Sequence, residues 1–168
     1  FNFEDDFERE VIERFVKAYE EGMTPNPCID CNRYIKFKRL FRRAKELGQD
    51  YVVTGHYARV RFDEETGRYL LLKAVDKKKD QSYVLYSITQ EQLAHAICPL
   101  GEIEDKEKVR RIAEKHGFIN ARKRDSQDIC FVPDGDYAGF ISRYRGKDYP
   151  YGAFVDMDGK LLGEHKGI

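Results

Sequence analysis

DYVVTGHY, residues Asp50 to Tyr57, joins a run of β-branched and aromatic residues to a glycine and a histidine. The run over 50–54 predicts a short buried strand, and Gly55 permits a sharp exit at its C-terminal end. The residues before it read as a helix: Asp30 as N-cap, Ile35, Leu40, Phe41, Ala44 and Leu47 on the inner side, Gly48 as the stop. A helix feeding such a strand is the repeating unit of a doubly wound, Rossmann-like α/β sheet, which is the fold class expected here. In that fold ligands sit outside the carboxyl ends of the strands, where Gly55 and His56 fall. The plain alternative for His56 is a loop histidine held by a hydrogen bond.

Further upstream, Phe7, Val11, Phe15 and Val16 form one apolar stripe on a helix over 3–21, stopped by Gly22. Between the two helices lies TPNPCIDC. Pro25 and Pro27 are expected to hold Thr24 and Asn26 extended and to delay helix until Cys31, placing Cys31 in the first turn.

Downstream, Ala58 to Phe62 and Arg68 to Val75 flank Glu64-Glu65-Thr66-Gly67 and predict a hairpin. A charged loop, Asp76 to Gln81, leads to helical segments over 82–88 and 90–96, and an amphipathic helix over 104–116 ends at Gly117. DICFVP, Asp128 to Pro133, predicts strand or extended chain. A helix over 136–144 follows, then a hairpin around Asp158-Gly159. The character changes from α/β to β near 136–148, so residues 1–140 are assigned to an α/β domain and 141–168 to the start of a small β-rich domain.

Of the 168 residues, 41% are hydrophobic, enough for one good core, and 30 Lys plus Arg balance 30 Asp plus Glu. Overall charge therefore gives no drive towards nucleic acid or membrane, and any such binding must come from local patches. No apolar run has the length of a membrane span and no secretory signal pattern opens the chain, so the cytoplasm is the expected compartment. The chain starts at Phe1 and stops at Ile168 in a Gly-rich polar stretch, and reads as a fragment of something longer.

Four cysteines are too few for a disulfide scaffold, which shifts weight to metal or thiol chemistry. Cys28 and Cys31 permit three readings. Structural zinc is disfavoured, because no second cysteine pair or His pair completes four ligands. A dithiol at a helix N-terminus suits redox chemistry, since the helix dipole favours the thiolate. Cys28, Cys31 and the distant Cys130 can also be three ligands of an iron-sulfur cluster with one iron open. Cys98, within HAICPL, reads as a buried apolar residue. Lys77 to Gln81 and Arg122, Lys123 and Arg124 are basic stretches able to meet phosphates, though a charge run is more often a solvated loop.

Taken in order, TPNPCIDCNRYIKF, DYVVTGHYARV, KKKDQSYVLY, RKRDSQDICFVP and GKLLGEHKGI resemble the tRNA-specific 2-thiouridylases, which place sulfur on C2 of the wobble uridine. The resemblance runs from about Arg14 to the end. It implies that Cys31 is the nucleophile and Cys130 the persulfide carrier, and that Gly55 belongs to an ATP site and His56 contacts tRNA. It further implies that Asn26, Pro27 and Cys28 meet the target base, and that Lys79, Asp80 and Gln81 form a tRNA-contacting loop. ATP with Mg, tRNA and a sulfur-donor protein are the implied cofactors and partners, with no membrane.

In the implied reaction ATP adenylates the uridine C2 oxygen, the terminal sulfur on Cys130 attacks C2, and AMP leaves. Cys31 then attacks the persulfide bond, ending in a disulfide with Cys130. The alternative implied by related thiolation enzymes is a [4Fe-4S] cluster on Cys28, Cys31 and Cys130, to which the third thiol adds weight. The family's SGGxDS phosphate loop does not occur in these residues, so activity is expected of the longer protein and not of this chain alone. A non-catalytic tRNA-binding module and a CxxC dithiol oxidoreductase are the competing readings.

Overall fold

The computed structural model describes residues 1–122 and 128–167, and the basic-stretch reading of Lys123 and Arg124 lies outside the described residues. The chain divides into two compact units, Phe1–Val11 with Cys28–Asp125, and Ile12–Pro27 with Ser126–Ile168. No helix among the described residues is long and apolar enough to cross a membrane.

The first helix, α1, is continuous over 4–20, with Glu8–Ile12 wound as π-helix between α-helical ends. Gly22, at φ 76°, ends it, and the Met23 N–H reaches back to the Ala18 carbonyl at 2.8 Å. The second helix, α2, covers 27–46 and starts four residues earlier than expected: Pro27–Asp30 is its first turn and Cys31–Leu40 is π-wound. Proline lacks only an N–H that a first-turn residue does not use, so Pro27 opens the helix where it was expected to delay it. Asp30 is consequently helical, with no side-chain cap bond, and Cys31 lies one turn into the helix. The π winding also shifts the buried face. Asn32 and Phe37, five apart, are fully buried with Ile35 and Phe41, whereas Leu47 is 48% exposed.

In the first unit the expected parallel sheet is present as a short pair. β1 (Val52–Val53) lies beside β4 (Ala96–Ile97), with Val52 opposite Ala96 and Val53 opposite Ile97. Val52 is buried but Val53 is 63% exposed, so the strand alternates instead of being buried on both faces. Between them come the hairpin β2 (Ala58–Asp63) and β3 (Arg68–Lys73), turned by Gly67 at φ 65°. A single 3-10 turn, Ser82–Leu85, stands where a longer helical segment was expected. Helix α3 (Gln90–Ala94) then opens on a capping box between Thr89 and Gln92. Helix α3 stops before Ala96, which belongs to β4 and not to the helix end expected from its sequence. The Gln92 side chain also donates to the Phe37 carbonyl, tying α3 to α2. The core gathers Phe37, Ala58, Val84, Leu85, Ala96 and Cys98. Helix α4 (Lys106–Lys115) is capped by Asp105, whose carboxylate accepts from the Lys108 N–H at 2.7 Å.

In the second unit, helix α5 (Tyr137–Arg145) is capped by Asp136, which accepts from the Gly139 N–H at 2.9 Å. Phe15, Val16 and Ile141 form its buried centre, ringed by Tyr19, Phe131, Tyr137, Phe140 and Tyr144. The expected extended run DICFVP is instead a series of turns, with the Val132 N–H on the Ile129 carbonyl and the Gly135 N–H on the Val132 carbonyl. Pro133, without an N–H, and Gly135, at φ 70°, suit turns better than a ladder. The hairpin β5 (Gly152–Val155) and β6 (Leu161–His165) closes the described chain, with Gly159 at φ 81° in its turn.

Arg145 grips Glu13 through two bonds of 2.9 Å and reaches Glu20, which also accepts from Tyr149 at 2.6 Å and pairs with Lys147 at 3.0 Å. The Tyr149 hydroxyl first, then Lys147 and Arg145, hold the Glu20 carboxyl down at about 2, against an ordinary 4.5. A carboxyl whose folded value is depressed stabilises the fold fully above its unfolded value, and that contribution fades as pH falls through the folded one. Acid should therefore weaken this unit progressively from pH 4.5 towards 2. Glu20→Gln should flatten that part of the acid limb, followed by near-UV circular dichroism of the tyrosines. An unchanged limb would remove Glu20 from the acid response.

Candidate functional site

The Thr54 N–H continues the parallel ladder onto the Ile97 carbonyl at 2.9 Å, and the chain then leaves the sheet through Gly55 and His56. A cleft of about 480 Å³ opens there, lined by Lys36 and Leu40 of α2, by Val53, Thr54, Gly55 and His56, and by Gln81. Three residues expected at the site, Gly55, His56 and Gln81, thus share one wall-to-wall space within the first unit. Gly55 is not in the left-handed region, and a Cβ there would meet Leu100 at an ordinary 3.8 Å. The exit at Gly55 therefore does not draw on a backbone conformation reserved for glycine.

His56 is 8% exposed, its Nδ1 lies 2.8 Å from Thr54 Oγ1, and the Phe37 ring stands 6.4 Å away, centre to centre. Burial, and then the nearby Lys36 charge, lower its pKa to about 4, so the imidazole is neutral at physiological pH. It serves as a hydrogen-bonding group there and not as a cation.

The charged loop is held firmly. The Gln81 N–H donates to the Tyr57 carbonyl at 2.8 Å, while the Gln81 side-chain oxygen accepts from the Tyr57 N–H at 3.1 Å. The Asp80 carboxylate accepts from the Ala74 N–H and the Ser82 hydroxyl, each at 2.8 Å. Asp80 thus shapes the loop, and Lys79 is carried on it with its own N–H on the Asp76 carbonyl at 3.1 Å.

The cysteines differ in setting. Cys28 is exposed in the first turn of α2, and Cys31 is half-buried at the start of the π-wound stretch. Asn32, next to Cys31, is 2% exposed, with an Oδ1 that has no hydrogen-bond partner among the described residues. Cys130 is exposed in the turn before Val132, in the second unit. Asn26 and Pro27 immediately precede Cys28, and Pro27 is buried. Cys98 is buried as expected, and burial raises its thiol pKa against the opposing effect of Thr54.

No group of three or more His, Cys, Asp or Glu among the described residues is placed to hold a metal ion. Cys28 and Cys31 belong to the first unit and Cys130 to the second. The cleft is of the size that takes a small molecule or part of a nucleotide. Lys36 and Thr54 also line the cleft, and in sequence nothing sets Lys36 apart from the other polar residues of its helix or Thr54 from the last residue of a strand.

The family described as "tRNA methyl transferase HUP domain" matches residues 1–134. The chain is 52% identical over 167 residues to the tRNA-specific 2-thiouridylase MnmA of Clostridioides difficile, covering 99% of this chain and 46% of that protein. It is 55% identical over 168 residues to the protein of that name from Moorella thermoacetica, with the same coverage, and 52% identical over 166 to that of Carboxydothermus hydrogenoformans. The chain spans about half the length of the curated relatives it matches.

Proposed function

The chain belongs to the tRNA methyl transferase HUP domain family, and from that premise we propose that it is the thiol-bearing part of an enzyme that thiolates uridine in tRNA. The observation that carries this reading is the identity of 52–55% to proteins named 2-thiouridylases, spread over 99% of the chain. That span contains the cleft and both cysteine segments. The family description speaks of methyl transfer, the relatives' names of sulfur. Two accessible thiol segments, at Cys31 and Cys130, suit sulfur transfer.

In this reading ATP supplies the activation: its adenylyl group turns the uridine C2 oxygen into a leaving group. The residues of this chain do the rest. Gly55 lines the cleft beside the nucleotide, and His56, neutral and buried, offers a hydrogen bond without charge. Cys130 presents sulfur from an exposed turn. Cys31, one turn into α2, then attacks the Cys130 sulfur, breaking the persulfide S–S bond, forming a disulfide with Cys130 and leaving the terminal sulfur on C2. Asn26, Pro27 and Cys28 border the target base. A sulfur-donor protein loads Cys130. Residues 1–140 form part of the catalytic nucleotide domain and 141–168 the beginning of the next, a division supported by the family match ending at 134.

The direct test is 2-thiouridine formation by the full-length protein with ATP, a sulfur source and tRNA. A second reading, a CxxC dithiol oxidoreductase, is favoured by the exposed Cys28 in the first turn of α2. It requires Cys28 and not Cys130, and no tRNA. Thiolation that survives Cys28→Ser but not Cys130→Ser excludes it.

The loop of Lys77, Lys78 and Lys79 meets tRNA phosphate in this account. Each phosphate neutralised contributes to the dependence of binding on salt. Lys79→Ala should weaken tRNA binding and reduce the slope of log K against log salt by about 1. An unchanged affinity and slope would take the loop out of the interface.

A further inference from the structure

At the end of β1 three side chains form a short relay. Cys98 Sγ lies 3.4 Å from Thr54 Oγ1, and Thr54 Oγ1 lies 2.8 Å from His56 Nδ1. The threonine hydroxyl has one proton, so it can donate to the imidazole or to the sulfur but not to both. Donation to the imidazole leaves Nδ1 bare and puts the ring proton on Nε2. Donation to sulfur requires the reverse, with Nδ1–H donating to the hydroxyl. Nitrogen of a neutral imidazole is a much better acceptor than sulfur, and the buried Cys98 keeps its proton and can donate it to the hydroxyl oxygen. The favoured chain therefore runs Cys98 S–H to Thr54 Oγ1, and Thr54 O–H to His56 Nδ1.

We propose that Thr54 is a positioning residue that, backed by the Cys98 thiol, locks His56 as its Nε2–H tautomer and so makes the cleft a surface of hydrogen-bond donors. The other polar side chains agree with that polarity. The oxygen of Gln81 is committed to the Tyr57 N–H, which leaves the amide NH2 for the cleft, and Lys36 offers an ammonium group. Three donor groups favour a ligand rich in acceptor oxygens, such as a phosphate or a base carbonyl. Only the identity of that ligand as tRNA rests on the function proposed above; the relay stands on the geometry alone.

The test is 15N NMR of the histidine rings in the full-length protein, with His56 assigned by His56→Gln. In the native protein Nε2 should be protonated and Nδ1 bare and hydrogen-bonded. Thr54→Val, which keeps the shape and removes the hydroxyl, should release the tautomer into a mixture and weaken tRNA binding about tenfold, the weight of one good buried hydrogen bond. Thr54→Ser should restore both, and Cys98→Ala should give a smaller change of the same kind. An Nδ1–H ring in the native protein would overturn the proposal even if every variant failed to fold. So would a Thr54→Val ring with the native tautomer. A tautomer that shifts in Thr54→Val with tRNA affinity intact would uphold the relay and count against tRNA as the ligand.

Discussion

Cys31→Ser and Cys130→Ser should each abolish thiolation by the full-length protein, by at least about a thousandfold, because a serine oxygen neither carries a persulfide sulfur nor attacks one. The two variants should fail at different points. Cys130→Ser cannot be loaded with sulfur. Cys31→Ser should load normally and then stall, because the thiolate that cleaves the persulfide bond is gone. Cys28→Ser should thiolate nearly as well as the native protein, since in the persulfide route only Cys31 and Cys130 exchange sulfur. Loss of activity in Cys28→Ser equal to that in Cys31→Ser would overturn this division of roles and return the dithiol to the centre of the chemistry.

Gly101→Ala should cost about 3 kcal/mol or more, the upper range for forcing atoms into a packed core. Gly101 is buried in the 3-10 turn Pro99–Glu102, where its N–H meets the Cys98 carbonyl at 3.1 Å and its carbonyl takes the Val75 N–H at 2.9 Å. A Cβ there would overlap the carbonyl of Ala58, itself fully buried at the start of β2. Backbone lies on both sides of the clash, so neither partner can swing away. The displaced turn holds Cys98, and through it the Thr54 end of the cleft, so tRNA affinity should fall with the melting temperature. Thermal unfolding within about 0.5 kcal/mol of the native protein, the range of a neutral surface change, would show that Gly101 and Ala58 are not in contact.

Much of the fold was legible because it rests on local chemistry. The stripe Phe7, Val11, Phe15 and Val16 needs only helical periodicity, and all but Phe7 are fully buried. The hairpin of 58–73 needs only the alternation and Gly67, and α5 needs only Asp136. The errors lie where a tertiary partner decides. Ala96-Ile97 is too short to read as a strand until Val52-Val53 is beside it. Phe37 faces the core because α2 is π-wound, a winding that shifts the 3.6-residue pattern on which its inner face was assigned. DICFVP has a strand's composition, but Pro133 and Gly135 favour turns. At the site, Gly55, His56 and Gln81 were readable as motif residues, and the cleft brings them together. Thr54 was not, because its value lies in two distances that no spacing reveals.

The most direct measurement is mass spectrometry of nucleosides from tRNA incubated with the full-length protein, ATP and a sulfur donor, alongside a search for a persulfide on Cys130. The account predicts a wobble uridine with oxygen exchanged for sulfur, formed only with ATP, and in Cys31→Ser a Cys130 persulfide that loads normally and, with ATP and tRNA, is held as a disulfide adduct between Cys130 and the base. Methylated uridine without thiouridine, or thiouridine formed at the native rate by Cys130→Ser, would contradict it.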